Sequence, residues 1–355
     1  MPGKMTIGQM FVVGFRGCDI GANAWLVEAI ARDGLGGVIL FDRNVDRSVQ
    51  NIESPEQLRR LTAGLQQQAR TPLFIAVDQE GGRVCRLKER DGFLPSHSAA
   101  ELAALGIEAT AHHADILAEE LAACGINLNF APVVDLDLNP DNPIIGRYQR
   151  SFGADPATVA SHARVFVEAH HRHGVGCCLK HFPGHGSAGN DSHLGFVDIS
   201  ACWRTVELDP YRQLLAAGYG DGIMTAHLVN RRLDSSGLPA TLSASVIDEL
   251  LRRELGFDGV VFSDDLQMRA ISNGWGAAEA VQRAVLAGVD VLVIGNNLAP
   301  REDALQVGIR AVVDLLDSGR IDGERINASL ARIARFKETL TGKRPWNPIV
   351  PPTAW

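Results

Sequence analysis

Residues 180–193 read KHFPGHGSAGNDSH, which places an ammonium (Lys180), three imidazoles (His181, His185, His193) and a carboxylate (Asp191) within fourteen positions. Glycine and proline breaks keep this stretch from continuing a strand or winding into a helix. A loop so dense in ionisable groups buries little and costs much to order, so chemistry is the better reason for it. The run before it, 174–179 (GVGCCL), reads as a buried strand. An unpaired ammonium at the end of such a run is costly, which favours a functional role for Lys180. Asp191 and His193 sit two residues apart. In an extended turn their side chains share a side, so a carboxylate there can orient an imidazole and stabilise its cation. The plain alternative is an Asx-turn with a solvated histidine.

Elements that must position these groups alternate along the whole chain. Strand-like apolar runs fall at 11–16, 36–41, 73–78, 127–134, 175–181, 222–227, 259–264 and 290–295. Helical patterns lie between and after them, at 22–33, 55–70, 107–124, 156–173, 243–254, 276–288, 301–318 and 322–341. The strands are apolar on consecutive positions, as strands covered on both faces must be. Eight such units predict a single-domain (β/α)8 TIM-type barrel over residues 1–341, followed by a proline-rich tail at 342–355, an arm or a frayed end. A doubly wound open sheet is the rival, but its glycine-rich phosphate loop is missing after the first strand.

In such a barrel the strand C-termini carry the site. The apolar runs end in polar groups: Asp78-Gln79-Glu80-Gly81-Gly82-Arg83 with Arg86 just beyond, Asp135 with Arg150 further along its loop, Lys180-His181, His227, and Ser263-Asp264-Asp265. The plain alternative for Asp78 is a helix N-cap, yet Gly81-Gly82 defers any helix. Asp135 and Asp137 read as loop caps, and one of Asp264 and Asp265 as a cap for the next helix. His227 reads as a satisfied core histidine.

Composition narrows the function classes. The chain has 355 residues, is 46% hydrophobic and 21% charged, and carries a net charge of −8, which argues against nucleic acid or an anionic membrane as partner. No run reaches membrane-spanning length and the N-terminus lacks an apolar signal core. The six cysteines show no metal spacing and are expected to be free buried thiols in a reduced, cytoplasmic protein.

Taken together, KHFPGHG followed by DSH, the FSDDL run at 262–266, DQEGGRV at 78–84, NFAPVVD at 129–135 and RSFG at 150–153 resemble glycoside hydrolase family 3, in particular its single-domain bacterial β-N-acetylglucosaminidases. The blocks occur in the family's order and cover residues 8 to 300. The resemblance implies Asp264 as nucleophile, His193 as general acid/base and Asp191 as the carboxylate paired with it. It implies Asp78, Arg86, Arg150, Lys180 and His181 as groups that bind the sugar. It implies a retaining exo-β-N-acetylglucosaminidase (β-hexosaminidase) acting on terminal non-reducing GlcNAc, with a role in recycling cell-wall muropeptides. It implies a carbohydrate substrate, no metal and no organic cofactor; a monomer is the expected state. One departure is visible: Ser187-Ala188 stands where the family usually has Asp-Thr, which bears on loop order and fine specificity. The resemblance to this subgroup implies that the C-terminal domain of the family's larger members is not expected.

The chemistry fits those types. A retaining glycosidase needs a carboxylate to attack the anomeric carbon and a group that first gives and then takes a proton. An imidazole titrates where it can do both near neutral pH. Other expectations stay open. The alternatives within the family are a β-glucosidase, a broad β-hexosaminidase, or a phosphorylase, since an imidazole repels incoming phosphate less than a carboxylate does. A metal-dependent hydrolase with zinc on His181, His185, Asp191 and His193 is a rival reading, against which stands the lack of a helical i, i+4 histidine pair. A non-catalytic sugar-binding barrel is the remaining alternative.

Overall fold

A computed structural model describes residues 4–191 and 195–349. Eight strands form one parallel sheet: β1 (Phe11–Gly14), β2 (Gly37–Leu40), β3 (Phe74–Val77), β4 (Leu128–Asn129), β5 (Gly176–Phe182), β6 (Gly222–Thr225), β7 (Val260–Phe262) and β8 (Leu292–Ile294). They pair in chain order, and β8 pairs back with β1. A parallel bridge between Phe262 and Val291, with Ser263 N donating to Val291 O at 2.9 Å, brings β7 to β8 and rounds the sheet into a barrel. Every barrel-strand residue is buried, as expected where helices cover one face and packed side chains fill the other. The aromatic rings of Phe74, Phe130 and Phe262 meet edge to face at 5.5–5.9 Å in that core.

The expected helices are present, each a residue or more shorter than its pattern. Three begin on side chains that accept from the first turn: Ser54 before Pro55–Gln68, Asp155 before Pro156–Arg172 and Asp322 before Gly323–Leu340. The helix Asp209–Ala216 between β5 and β6 is an addition to the sequence reading; only eight residues long, with Pro210 in its first turn, it gives a weak periodic signal. So is a small parallel pair, Val197–Asp198 with Leu228–Val229.

Strand β4 corrects the expectation most. The apolar run 127–134 contributes only two ladder residues. Pro132 has no N–H to donate, and the Asn129 side chain takes over the cross-strand role, accepting from Gln79 N and donating to Gln79 O, both at 3.0 Å. The cysteines also differ from expectation: all six are free, but Cys18 is only half-buried and Cys202 is exposed. At the other end of the barrel the tail packs down. Trp346 stacks on His171 with ring centroids 3.7 Å apart, and Ile349 is buried.

Candidate active site

The C-terminal ends of the barrel strands surround a cavity of about 390 Å³. Its walls include Asp78, Arg86, Arg150, Lys180, His181, Asp191 and Asp264, which are seven of the eight residues singled out from the sequence. The eighth, His193, lies outside the described residues. Asp191, which precedes it, is half-buried.

The floor is built from the ends of β3 and β5. Lys180 is buried, and its Nζ lies 2.8 Å from Asp78 Oδ1 and 2.6 Å from Glu80 Oε1. Burial alone would lower its pKa, but the two carboxylates outweigh that and raise it, so the ammonium stays charged. Arg150 grips Glu80 with two parallel bonds, Nε to Oε2 at 2.7 Å and Nη2 to Oε1 at 2.8 Å. Burial would push the Glu80 carboxyl up; Arg150 and then Lys180 reverse this and hold it well below the usual carboxylate range.

Glu80 was passed over in the sequence as one letter of the DQEGGRV block, although a carboxylate two residues beyond Asp78 is a signal. It reaches inward because Gly81 and Gly82 turn the chain with φ of +101° and +57°. A Cβ on Gly81 would lie 2.0 Å from His97 O, so the turn admits no other residue there.

Arg150 and Arg86 differ in what they have left to offer. Arg150 spends Nε and Nη2 on Glu80 and Nη1 on Ile144 O at 3.2 Å. Arg86 approaches Asp78 at 3.6 Å and Asp42 only at 4.0 Å. Its Nε is buried and finds no partner among the described residues. A buried orphan donor beside the Asp78 carboxylate suits a hydroxyl brought by a ligand.

His181 and the loop beyond it are tied to Asp135. Asp135 accepts from His181 Nδ1 at 2.7 Å, from His181 N at 3.1 Å and from His185 N at 2.8 Å. The loop-cap role expected for Asp135 is therefore replaced by a buried anchor. Its carboxyl, raised by burial, is brought net below its ordinary value mainly by His181. On the other side of the ring, His181 Nε2 faces Arg150 Nη2 at 3.3 Å. A guanidinium only donates, so Nε2 accepts and Nδ1 carries the proton given to Asp135.

The next residues, 184–188, are buried and held by a second anchor that no sequence pattern marks. Glu207 accepts from Gly186 N at 3.1 Å and from Ser187 Oγ at 2.6 Å. Asn142 Nδ2 donates to His185 O at 2.8 Å. The segment carrying Ser187-Ala188 is thus fixed. Exposure begins only at Gly189 and Asn190.

Asp264 stands past the end of β7, half-buried, and its Oδ1 accepts from Asp265 N at 2.8 Å. Asp265 also lines the cavity, and its Oδ1 accepts from Gly295 N at 2.9 Å and Gln267 N at 3.0 Å. It closes a turn rather than capping a helix. His227 is buried, with Nδ1 2.8 Å from Thr241 Oγ1 and Nε2 2.9 Å from Asp265 O, which is the satisfied core histidine the sequence suggested. Among the described residues no three His, Cys, Asp or Glu side chains converge so as to hold a metal ion.

The cavity thus gathers Asp264 and the paired charged groups of the floor around one space. Comparison with known proteins identifies the family. Residues 4–336 match the family model described as the glycosyl hydrolase family 3 N terminal domain. A β-hexosaminidase from Tolumonas auensis is 39% identical over 292 residues, covering 80% of this chain and 82% of that protein. β-Hexosaminidase A from Pseudoalteromonas piscicida is 35% identical over 89% of this chain, but the chain spans only 55% of that protein's length. The solved structure of a glycoside hydrolase family 3 β-N-acetylglucosaminidase from Paenibacillus sp. superposes with a TM-score of 0.87 at 37% identity, over 97% of this chain and 64% of that one. A β-N-acetylhexosaminidase from Beutenbergia cavernae superposes with a TM-score of 0.85 at 29% identity, over 95% and 98%. By the extent of the family match and by these identities, the chain belongs to glycoside hydrolase family 3.

Proposed function

We propose that the protein is a retaining exo-β-N-acetylglucosaminidase, removing terminal non-reducing GlcNAc by double displacement. The observation that carries this reading is that Asp264 and Asp191 line one cavity whose floor is the Asp78–Lys180–Glu80–Arg150 network. In the first step an Asp264 oxygen attacks the anomeric carbon while the bond to the leaving oxygen breaks and that oxygen takes a proton from His193. In the second, His193 takes a proton from water, whose oxygen displaces Asp264 and restores both groups. Asp191 orients the imidazole and stabilises its charged form. Lys180 and Arg86 donate to sugar hydroxyls, Asp78 accepts from them, and Arg150 and His181 complete the wall. Each charge-assisted bond is worth roughly 1.5–3 kcal/mol.

The relatives named β-hexosaminidase and β-N-acetylglucosaminidase support the choice of sugar. Muropeptide fragments as substrate, a cytoplasmic monomer as the working form, and independence from metal, nucleic acid and membrane belong to the same proposal. The net charge of −8 favours the last two, and no described helix is long and apolar enough to cross a membrane.

A panel of aryl β-glycosides differing only at the 2-position tests it. The 2-acetamido sugar is expected to turn over fastest, and NMR of the first-formed product is expected to show the β-anomer. Faster cleavage of the 2-hydroxy sugar, or an α-anomer formed first, would overturn it.

A further inference from the structure

The floor groups described above hold one sugar; the rim of the same cavity carries a residue that none of that chemistry uses. Tyr148 lines the cavity and is half-buried. It sits at the end of a single helical turn, Gly146–Tyr148, in the loop that leads to Arg150. The exposed Arg83 lays its guanidinium carbon 3.8 Å from the centre of the Tyr148 ring. The phenol hydroxyl has no hydrogen-bond partner among the described residues.

Both partners are held by backbone devices. Arg83 follows the Gly81-Gly82 turn, which is pinned by Gly82 N donating to Ser96 O at 3.2 Å. Tyr148 is followed by Gln149, whose φ of +55° is left-handed in a residue with a side chain. Such a conformation costs on the order of 1–3 kcal/mol, persists only where the surroundings impose it, and gathers at functional sites. Here Gln149 O accepts from Ala100 N at 3.2 Å, Gln149 N donates to Gly146 O at 2.9 Å, and Arg150 N donates to Ile145 O at 3.1 Å. The reversal at Gln149 lets neighbours in sequence serve different depths. Arg150 is buried against Glu80, while Tyr148 stays on the rim.

Because the charged groups that fit a sugar's hydroxyls lie deep and the ring lies at the rim, we infer that Tyr148, backed by Arg83, is the platform for the ring on the leaving-group side of the scissile bond. The ligand class is a second pyranose, whose axial C–H face packs on an aromatic ring. The stacked guanidinium stiffens the ring and covers its other face. This rests on the function proposed above and names the part of the substrate which that function left open.

The test compares N,N′-diacetylchitobiose, which presents a second pyranose, with methyl β-N-acetylglucosaminide, which presents none. Tyr148→Ala is expected to lower kcat/KM on chitobiose about tenfold, mainly through KM, and to leave the methyl glycoside within about twofold. Tyr148→Phe keeps the ring and is expected to stay near wild type on both, while Arg83→Gln falls between. Equal losses of the alanine variant on both substrates would overturn the inference, because they would mean that the change had displaced Arg150 rather than removed a platform. A chitobiose rate unaffected by Tyr148→Ala would overturn it too. Inactivity of the wild type on both substrates would instead sink the function, and the platform with it.

Discussion

Two buried carboxylates sit at opposite ends of this barrel, and each is wrapped in basic side chains. Glu80, past the end of β3, takes Arg150 and Lys180. Asp290, just before β8, takes Arg252, Ser329 Oγ at 2.5 Å, Arg332 at 3.3 Å and Val261 N at 2.9 Å. By burial and charge the two look alike. They differ in what their partners do next. Around Asp290 the spare donors are spent on backbone: Arg252 on Phe257 O and Gly259 O, Arg325 on Val285 O and Val289 O. That cluster stitches helices Ser245–Glu254 and Gly323–Leu340 to the sheet. Around Glu80 the network opens onto a cavity, continues to Asp78, and ends in Arg86, whose Nε is unspent. Buried charge does not by itself mark a site; buried charge with hydrogen-bonding capacity left over, facing a cavity, does.

The sharpest way to break the comparison is at Asp264, which lines the same cavity as that network. Asp264→Asn keeps size and shape but removes the charge proposed to attack the anomeric carbon. Turnover of an aryl N-acetylglucosaminide is expected to fall roughly 10⁴-fold or more, with GlcNAc binding and melting temperature near wild type. Activity within tenfold of wild type would remove Asp264 from the chemistry.

At the other end the expectation inverts. Asp290→Asn leaves several guanidinium groups facing a neutral amide in a buried place, and should cost about 3–5 kcal/mol of stability in denaturant unfolding. The kcat/KM of the folded protein at 25 °C should not change. A loss of kcat/KM without a loss of stability would mean that the two ends are coupled and that the distinction drawn here is wrong.

Two buried lysines make the same contrast through pH. Lys180 has carboxylates beside it and its pKa is raised. Lys337 has none among the described residues: its Nζ donates to Gln9 Oε1 at 2.8 Å and Gly36 O at 2.7 Å, lies 4.7 Å from the centre of the Phe74 ring, and is pushed down to about 7 by burial. In the unfolded chain a lysine titrates near 10.4, so between about pH 7 and 10 the unfolded state holds the extra proton and stability rises with pH. Below about 7 both states are protonated and the slope vanishes. Lys337→Met removes this contribution. The unfolding free energy of wild type minus that of the variant should climb by up to about 1.4 kcal/mol per pH unit across that window. Parallel curves would show that the two carbonyl oxygens and the ring keep Lys337 charged.

How much of this could be read from the sequence follows the same division. The barrel was legible because parallel strands buried on both faces are continuous apolar runs, and each run here ends where the polar groups begin. β4 was overread because the apolar letters of NFAPVV describe burial, not ladder bonds, and Pro132 and the Asn129 amide change which atoms pair. Residues at strand ends, such as Asp78, Lys180 and Asp264, announced themselves by following apolar runs. Glu207 did not. It lies in an ordinary amphipathic segment, and its role arises only because the chain folds it onto Gly186 and Ser187. Tyr148 was equally silent, since a tyrosine in a polar loop carries no period; only the guanidinium on its face and the cavity beside it make it legible.

The tail gives the smallest effect and the most local test. Trp346 lies nearly parallel to the His171 ring at 12° and meets Phe336 at 6.5 Å. Beneath it His171 Nε2 is 2.7 Å from Asp221 Oδ2, which also accepts from Cys177 N at 3.0 Å, so the stack covers a link that reaches the start of β5. Trp346→Ala should therefore cost more than the removal of a surface ring in solvent, but less than the loss of a buried charge. About 1 kcal/mol, or a fall of roughly 2 °C in melting temperature, is expected, with both kinetic constants unchanged because the cavity lies at the far end of the barrel. A fall in kcat would show that β5 transmits a disturbance from its first residues to Lys180 at its other end, and the floor network would then be less rigid than its paired charges imply.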